Sequence, residues 1–348
     1  MKKLRFGIIG AGGIADRRML PAMMLACNVE VTAVMEVDVD LAEKIRAKYN
    51  AKYAYTDVEE LVKNEEIDAV YIASPVVFHA GQAMLAADYG KHILLEKPIA
   101  MDIDESEKLL RYCEKKGVRV AAGFMMRFGT HVMRMKEAVQ TGKVGQVVSG
   151  YSQFTAWFPE SAGNWRQVKA KSGGGCLMDM GVHCIDLIEY VTGSRVCEVA
   201  AFNDTVAFSY DVEDSSTVLL KLSNGAQCVV QTNFNIPDEV AKWRLEFFGT
   251  RGRLMGDSVI GQIDGGKLNV AFIDEVLGYN AAQSCAGSIG EDVETEFGNM
   301  YTREVESFAD SILKGTPLVV PASDALHIQK VVAAAYKSSK EQIVVKVD

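Results

Sequence analysis

The sequence lacks a long apolar run, a basic excess and any close cysteine pair, and each lack removes a class of protein. No uninterrupted apolar stretch among the 348 residues approaches the ~20 that a membrane-crossing helix needs. Acidic residues outnumber basic ones, 46 to 37, for a formal net charge of −9 and an isoelectric point near 5.3. A nucleic-acid or anionic-membrane surface would want a basic stripe, so neither partner is expected. The seven cysteines (27, 113, 176, 184, 197, 228 and 285) are scattered and form no C-x-x-C pair. That pattern speaks against a disulfide framework or a cysteine zinc site, and for reduced, mostly buried thiols in a cytoplasmic protein. Met1-Lys2-Lys3 leads into the first strand with no signal-peptide core or cleavage site, and there is no internal repeat or low-complexity tract. What is left is the composition of a soluble globular chain, 49% hydrophobic and 24% charged, at a length that suits two domains.

The stretch Leu4 to Ala15 is the most informative in the first half. Phe6 to Ile9 reads as a buried parallel strand and breaks at Gly10-Ala11-Gly12-Gly13-Ile14-Ala15, a G-x-G-x-x-A turn followed by a helical pattern. Gly10 allows the tight turn, Gly12 lets backbone N–H groups approach a pyrophosphate, and Ala15 lets the helix pack closely on the strand. The helix N-terminus then faces the phosphates. A second apolar strand, Val31 to Met35, ends in Glu36, about 20 residues past the glycines, where an acid accepts hydrogen bonds from the adenosine ribose. A Gly-rich turn followed by a solvated acid would look alike in isolation; the strand–turn–helix–strand context favours a dinucleotide site.

Strand and helix signals alternate over the first ~120 residues, which predicts a doubly wound parallel sheet of five strands. Ligands in such sheets sit beyond the C-terminal strand ends. That rule selects Gly10–Ile14, Glu36, Ser74-Pro75, Glu96-Lys97-Pro98 and the residues around Gly123 as one rim. Lys97, directly after an apolar strand, can hydrogen-bond a substrate hydroxyl, stabilise an alkoxide or transfer a proton; a surface lysine paired with Glu96 is the plainer option. His79 reads as a helix N-terminal residue or as a cofactor contact.

After Phe124 strand-like segments dominate: 147–158, 197–206, 216–222, 227–235 and 243–247. Asn224-Gly225 and Asp264-Gly265-Gly266 are hairpin signals. Together they predict an antiparallel, open-faced sheet, whose bare face would be covered by helices or by another subunit; a homodimer or homotetramer through this sheet is expected. Residues 272–300 read as an irregular loop, and the tail as two helices and a last strand. In Ser172 to Asp186, read as a helix, Leu177, Met180, Cys184, Leu187 and Val191 form an apolar stripe, while Asp179, His183 and Asp186 fall on another face. An acid one turn from a histidine suits general acid–base work, the carboxylate fixing the imidazole tautomer and raising its pKa. Asp and His at this spacing are also ligand-like, although no third-ligand motif such as H-E-x-x-H accompanies them, and a solvated Asp–His pair is the default for a lone helix.

The motifs taken together resemble the Gfo/Idh/MocA oxidoreductases, named for glucose–fructose oxidoreductase and inositol 2-dehydrogenase. The resemblance rests on the G-x-G-x-x-A turn, Ser74-Pro75 with His79, Glu96-Lys97-Pro98, Gly123-Phe124 with Arg127-Phe128, and the run Gly173-Gly174-Gly175-x-Leu177-x-Asp179-x-Gly181-x-His183-x-x-Asp186. It spans essentially the whole chain. It implies a Rossmann domain (1–123) followed by an α/β substrate and oligomerisation domain (124–348), with the C-terminal helices returning to the first. It further implies that Lys97 contacts substrate and cofactor, that Asp179 and His183 hold the substrate hydroxyl with the histidine as acid–base, and that Arg127 and the Trp165-Arg166 pair lie among the cofactor contacts beside Gly13, Ile14, His79 and Glu96. Val76 departs from the family's frequent asparagine and puts one polar cofactor contact in doubt.

The resulting expectation is an NAD-dependent dehydrogenase acting on a secondary alcohol of a sugar, cyclitol or glycoside, with no metal. Glu36, followed by Val37 and Asp38 rather than arginine, favours NAD over NADP, because a carboxylate repels a 2′-phosphate. Trp157 and Trp165 are candidates for stacking on a sugar face, though core packing is the commoner role of tryptophan. The alternatives are an NAD-requiring glycosidase working through transient oxidation, a reductase of another carbonyl or dihydrodiol class, and a non-catalytic nucleotide sensor.

Overall fold

A computed structural model describes residues 2–274, 278, 279, 281 and 290–347. The chain divides into two compact units, Met1–Met125 with Asn299–Gln329, and Met126–Gly298 with Lys330–Asp348.

The first unit is built on six parallel strands: β1 (Leu4–Ile9), β2 (Val29–Met35), β3 (Tyr53–Tyr55), β4 (Ala69–Ile72), β5 (His92–Leu95) and β6 (Val120–Ala122). Their order, 3-2-1-4-5-6, is that of a Rossmann sheet. β1, β4 and β5 are buried along nearly their whole length, which is why they read as unbroken apolar runs rather than alternating ones. The order reverses between β1 and β4, so the switch point lies where Gly10 and Ser74 end those two strands. Helices Val39–Lys48, Val58–Lys63 and Ile103–Lys115 start on Asp38, Asp57 and Asp102, each of which accepts hydrogen bonds from the first-turn N–H groups; such a cap contributes about 1 kcal/mol. The helix Met300–Leu313 packs on this unit through Phe308, whose ring centroid is 5.9 Å from that of Phe6. The strand count is one more than the five expected. β3 is three residues long and pairs only with β2 at the sheet edge, too short for its alternation to register.

The second unit is a nine-stranded mixed sheet of β7 (Val147–Thr155), β8 (Val196–Asp204), β9 (Ser215–Leu222), β10 (Gln227–Asn233), β11 (Leu245–Gly249), β12 (Gly252–Asp257), β13 (Lys267–Phe272), β14 (Glu291–Asp292) and β15 (Val345–Lys346), in the order 14-13-12-11-7-10-9-8-15. Only β7 and β10 pair in parallel. The period of two is plain in β9, where Val218, Leu220 and Leu222 are buried and Leu219 and Lys221 are exposed. The helix Val182–Thr192 packs on β7 and β10. On the opposite face Leu219 and Phe248 stand in solvent.

Asn224-Gly225 makes the expected hairpin: Gly225 has φ +88° and the Ala226 N–H donates to Asn224 Oδ1 at 3.0 Å. Asp264-Gly265-Gly266 also lies in a hairpin connection, though not in a two-residue turn. β12 and β13 pair antiparallel, and residues 258–266 join them. Asp264 is engaged elsewhere, taking the Thr130 N–H (2.9 Å) and hydroxyl (2.5 Å) at the start of helix Thr130–Gln140, and the Gly298 N–H (3.0 Å). Within the stretch read as an irregular loop, β14 adds a short edge strand to β13; residues 275–277, 280 and 282–289, Cys285 among them, lie outside the described residues. The other six cysteines are free thiols. Among the described residues no helix is long and apolar enough to cross a membrane, and no group of three or more His, Cys, Asp or Glu could hold a metal ion.

Candidate active site

In the first unit the glycine turn is tied to its neighbours by backbone geometry. The Gly10 and Ala11 N–H groups both donate to Met35 O at 3.1 Å, binding the turn to the end of β2. Gly10 has φ +75°, and a Cβ there would lie 2.6 Å from Ser74 N. Glycine is required on both counts, left-handed backbone and close approach to a neighbouring main chain. The Gly12 N–H donates to Glu36 Oε2 at 3.0 Å, and the Val37 N–H to Oε1 at 3.1 Å. Gly13, with φ +53°, has open space where a Cβ would stand. Ile14 leads into a π turn, Ala15–Met19, continued by helix Leu20–Leu25, and Ala15 is fully buried. Open room over Gly13, beside a carboxylate one hydrogen bond from the turn, fits a dinucleotide whose pyrophosphate lies on the turn and whose ribose hydroxyls meet Glu36.

The ends of β4 and β5 carry the next group. Ser74 Oγ donates to Gln82 Oε1 at 2.6 Å, Pro75 is exposed, and Val76 opens a short turn with its apolar side chain buried. His79 is buried, with Nδ1 2.8 Å from Pro98 O and Nε2 2.8 Å from Ser74 O, so it ties the two strand ends together. Burial pulls its pKa down against the opposing pull of the two carbonyls. A carbonyl oxygen only accepts, so the ring makes both bonds when it carries both N–H groups and one of them when it carries a single N–H. Glu96 Oε1 accepts from Tyr71 OH at 2.6 Å. Tyr71 is wholly buried, and burial next to that carboxylate pushes its hydroxyl pKa far up, so the phenol stays a donor. A Cβ on Gly123 would press on the Glu96 carboxylate at 3.1 Å. Lys97 is half-buried, and its N–H lies 3.3 Å from Glu96 Oε2.

In the second unit Asp179 and His183 lie on one continuous helical segment, a π turn Leu177–Gly181 running into helix Val182–Thr192. The stripe and the polar face expected there are both buried: every residue from Val182 to Glu189 is buried, His183 at 5% and Asp186 at 1% exposed, while Asp179 is half-buried. The histidine of the Asp–His pair is therefore not solvated, while its acid keeps part of its exposure. Asp186 meets Arg127 in a buried ion pair, with Nη2 2.6 Å from Oδ1 and Nε 3.0 and 3.1 Å from the two oxygens. The Arg127 guanidinium also lies 5.0 Å from the Tyr190 ring centroid. Trp165 and Arg166 form a solvent-facing pair, the guanidinium 4.7 Å from the ring centroid. Trp157 is 47% exposed and meets Phe208 edge-on at 5.4 Å.

The first unit thus brings Gly10 to Ser74, Gly12 to Glu36 and His79 to Ser74 and Pro98. The second puts Asp179, His183 and the Arg127–Asp186 pair on or against one helix. Three participants had no local signal: Tyr71 behind Glu96, the pairing of Arg127 with an acid 59 positions away, and Glu213 at the start of the Asp179 turn. Arg127 and Asp186 each stood in a motif of the sequence, but nothing local showed that they pair.

Residues 4–124 match a family described as an oxidoreductase family with an NAD-binding Rossmann fold, and residues 132–255 match the GFO/IDH/MocA C-terminal domain. D-xylose 1-dehydrogenase (NADP(+)) 2 of Haloferax volcanii is 30% identical over 348 residues, 99% of this chain and 100% of its own. Myo-inositol 2-dehydrogenase of Thermotoga maritima is 26% identical over 353 residues, 99% of each chain. The aldose–aldose oxidoreductase of Caulobacter crescentus, solved with glycerol, shares the fold with a TM-score of 0.88 at 22% identity, over 99% of this chain and 100% of that one.

Proposed function

The chain belongs to the Gfo/Idh/MocA oxidoreductases, and from that premise we propose an NAD-dependent dehydrogenase acting on a secondary alcohol of a sugar, cyclitol or glycoside. The observation that carries the reading is a histidine one turn from an acid on a buried helix, His183 and Asp179, in a chain that also places Lys97 just beyond β5. Bound NAD would supply the hydride acceptor. Gly10, Gly12, Gly13 and Ile14 would take the pyrophosphate and Glu36 the ribose, with Ser74, Pro75, His79, Glu96, Lys97, Arg127, Trp165 and Arg166 as the further contacts. His183 would take the hydroxyl proton, Asp179 would fix its ring and raise its basicity, and the Lys97 ammonium would hydrogen-bond the substrate oxygen as it becomes a carbonyl. Charge on that oxygen is then met without a metal.

Glu36 supports NAD over NADP, because its carboxylate is already oriented by the Gly12 and Val37 N–H groups and would face a 2′-phosphate with like charge. The solvent-facing side of the nine-stranded sheet, with Leu219 and Phe248 on it, suits a homodimer or homotetramer. The test is stoichiometry: with NAD and a panel of sugars, inositols and glycosides, a turned-over substrate yields one NADH and a product lighter by two hydrogens. Turnover with no net NADH would overturn the reading in favour of transient oxidation. Tighter binding of NADP than NAD would overturn the cofactor assignment.

A further inference from the structure

The helical segment carrying Asp179 and His183 starts without a capping side chain of its own, since Cys176 makes no side-chain cap. The first N–H groups of a helix have no partner within it and must be met from elsewhere. Here one distant residue meets three in a row. The Gly175 N–H donates to Glu213 Oε1 at 2.9 Å, the Cys176 N–H to Glu213 main-chain O at 3.1 Å, and the Leu177 N–H to Glu213 Oε1 at 3.1 Å. Tyr336, on helix Ala322–Glu341, donates its hydroxyl to the same Oε1 at 2.8 Å.

The glycine run is shaped to this anchor. A Cβ on Gly174 would run into the Tyr336 hydroxyl, and one on Gly175 into the Glu213 main-chain oxygen. The run is therefore the surface on which Glu213 and Tyr336 seat the turn, which explains a stretch that the dinucleotide chemistry leaves unexplained. Both residues are half-buried, and desolvation pushes up the pKa of the Glu213 carboxyl and, together with the neighbouring carboxylate, that of the Tyr336 hydroxyl. From the anchored amides the path to the reacting groups is short and rigid: the Asp179 N–H donates to Gly175 O at 3.0 Å, and His183 follows one turn later. Midway along, the helix is held by the Arg127–Asp186 pair.

We propose that Glu213, braced by Tyr336, is a positioning residue that sets where Asp179 and His183 stand. The proposal rests on the dehydrogenase reading for its kinetic consequence, but not for the anchoring itself. Misplacing a catalytic group by about 1 Å can cost on the order of 100-fold in rate.

The experiment uses the full chain with NAD and its best substrate, well below the lowest melting temperature of the set. Glu213→Ala should lower kcat by about 30- to 100-fold, while the affinity for NADH stays at the wild-type value and deuterium exchange over residues 174–185 speeds up. Glu213→Gln should recover most of the rate, because its amide oxygen accepts the same hydrogen bonds. Tyr336→Phe removes one bond and should fall between the two; it carries the test if Glu213→Ala does not fold. A Glu213→Ala protein with wild-type kcat, or one that loses rate with unchanged exchange over 174–185, would overturn the proposal. His183→Ala runs alongside: if it keeps full activity, the dehydrogenase reading fails, while the exchange result still decides the anchor.

Discussion

Replacing Gly10 by alanine tests the dinucleotide turn most sharply, because the structure separates two costs there and only one at Gly13. At φ +75° a side chain costs roughly 1–2 kcal/mol. The added Cβ would also lie 2.6 Å from Ser74 N, 2.8 Å from Ser74 Cα and 2.9 Å from Ala73 C. These are main-chain atoms of a segment already paired to β1 through the Ala73 N–H to Ile9 O bond at 2.9 Å, so they cannot swing aside. Overpacking of this kind adds about 1–3 kcal/mol, for a total of about 2–5 kcal/mol. Gly13 has φ +53° but nothing within 4 Å of a Cβ, so Gly13→Ala costs only the backbone share, about 1–2 kcal/mol. Calorimetry should therefore rank Gly10→Ala as clearly the less stable protein, with a larger fall in melting temperature at about 2–4 °C per kcal/mol. NADH titration should bring the two variants together. Each should weaken binding at least about tenfold, or ~1.4 kcal/mol: Gly10→Ala by moving the turn off β4, Gly13→Ala by filling the room a pyrophosphate needs. Equal stability of the two variants, or NADH affinity within twofold of wild type in either, would refute the reasoning.

Asp186→Ala leaves the Arg127 guanidinium, 5% exposed, without its carboxylate. Removing one partner of a buried pair costs about 3–5 kcal/mol, and a calorimetric loss under about 1 kcal/mol would show the pair to be no stronger than a surface one. His92 and His131 have pKa values lowered first by burial, and His92 Nδ1 accepts the Arg119 N–H at 3.1 Å, a bond that protonation would break. Both therefore bind fewer protons folded than unfolded. Their contribution is full above the unfolded value near 6.5 and is lost as pH falls below it, so stability should drop on acidification from about pH 7.5 to about 5.5. Thermal melts should show a shallower drop in His92→Gln, and an unchanged slope would contradict the assignment. Glu36→Ser should narrow the preference for NAD over NADP, read as the ratio of the two kcat/KM values; a ratio unmoved by the change would remove Glu36 from cofactor choice.

The Rossmann unit was legible because its signals are local. Apolar runs such as Phe6–Ile9 and Ala69–Ile72 and the glycine turn each lie within a few residues of sequence. β3 escaped notice because three residues at a sheet edge carry almost no period. In the second unit the alternation of β9 and the Asn224-Gly225 turn were equally readable. The role of Asp264 was not, because it looks like a turn residue while its carboxylate closes the start of helix Thr130–Gln140. The same distinction runs through the site. Asp179 and His183 announce themselves by helical spacing, whereas the Arg127 partner of Asp186 and the Glu213 anchor depend on contacts between residues 36 to 123 positions apart. Spacing reports what shares a face, and long-range pairing reports what holds that face in place.

The central claim, that His183 and Lys97 act on a sugar or cyclitol hydroxyl, is tested most directly by NADH formation in wild type, His183→Ala and Lys97→Ala on the same substrate panel. The account predicts at least one substrate oxidised by the wild type, a loss of at least about 100-fold in kcat/KM in each variant, and NADH affinity kept in His183→Ala. Oxidation that survives in His183→Ala and Lys97→Ala at near wild-type rates would contradict it.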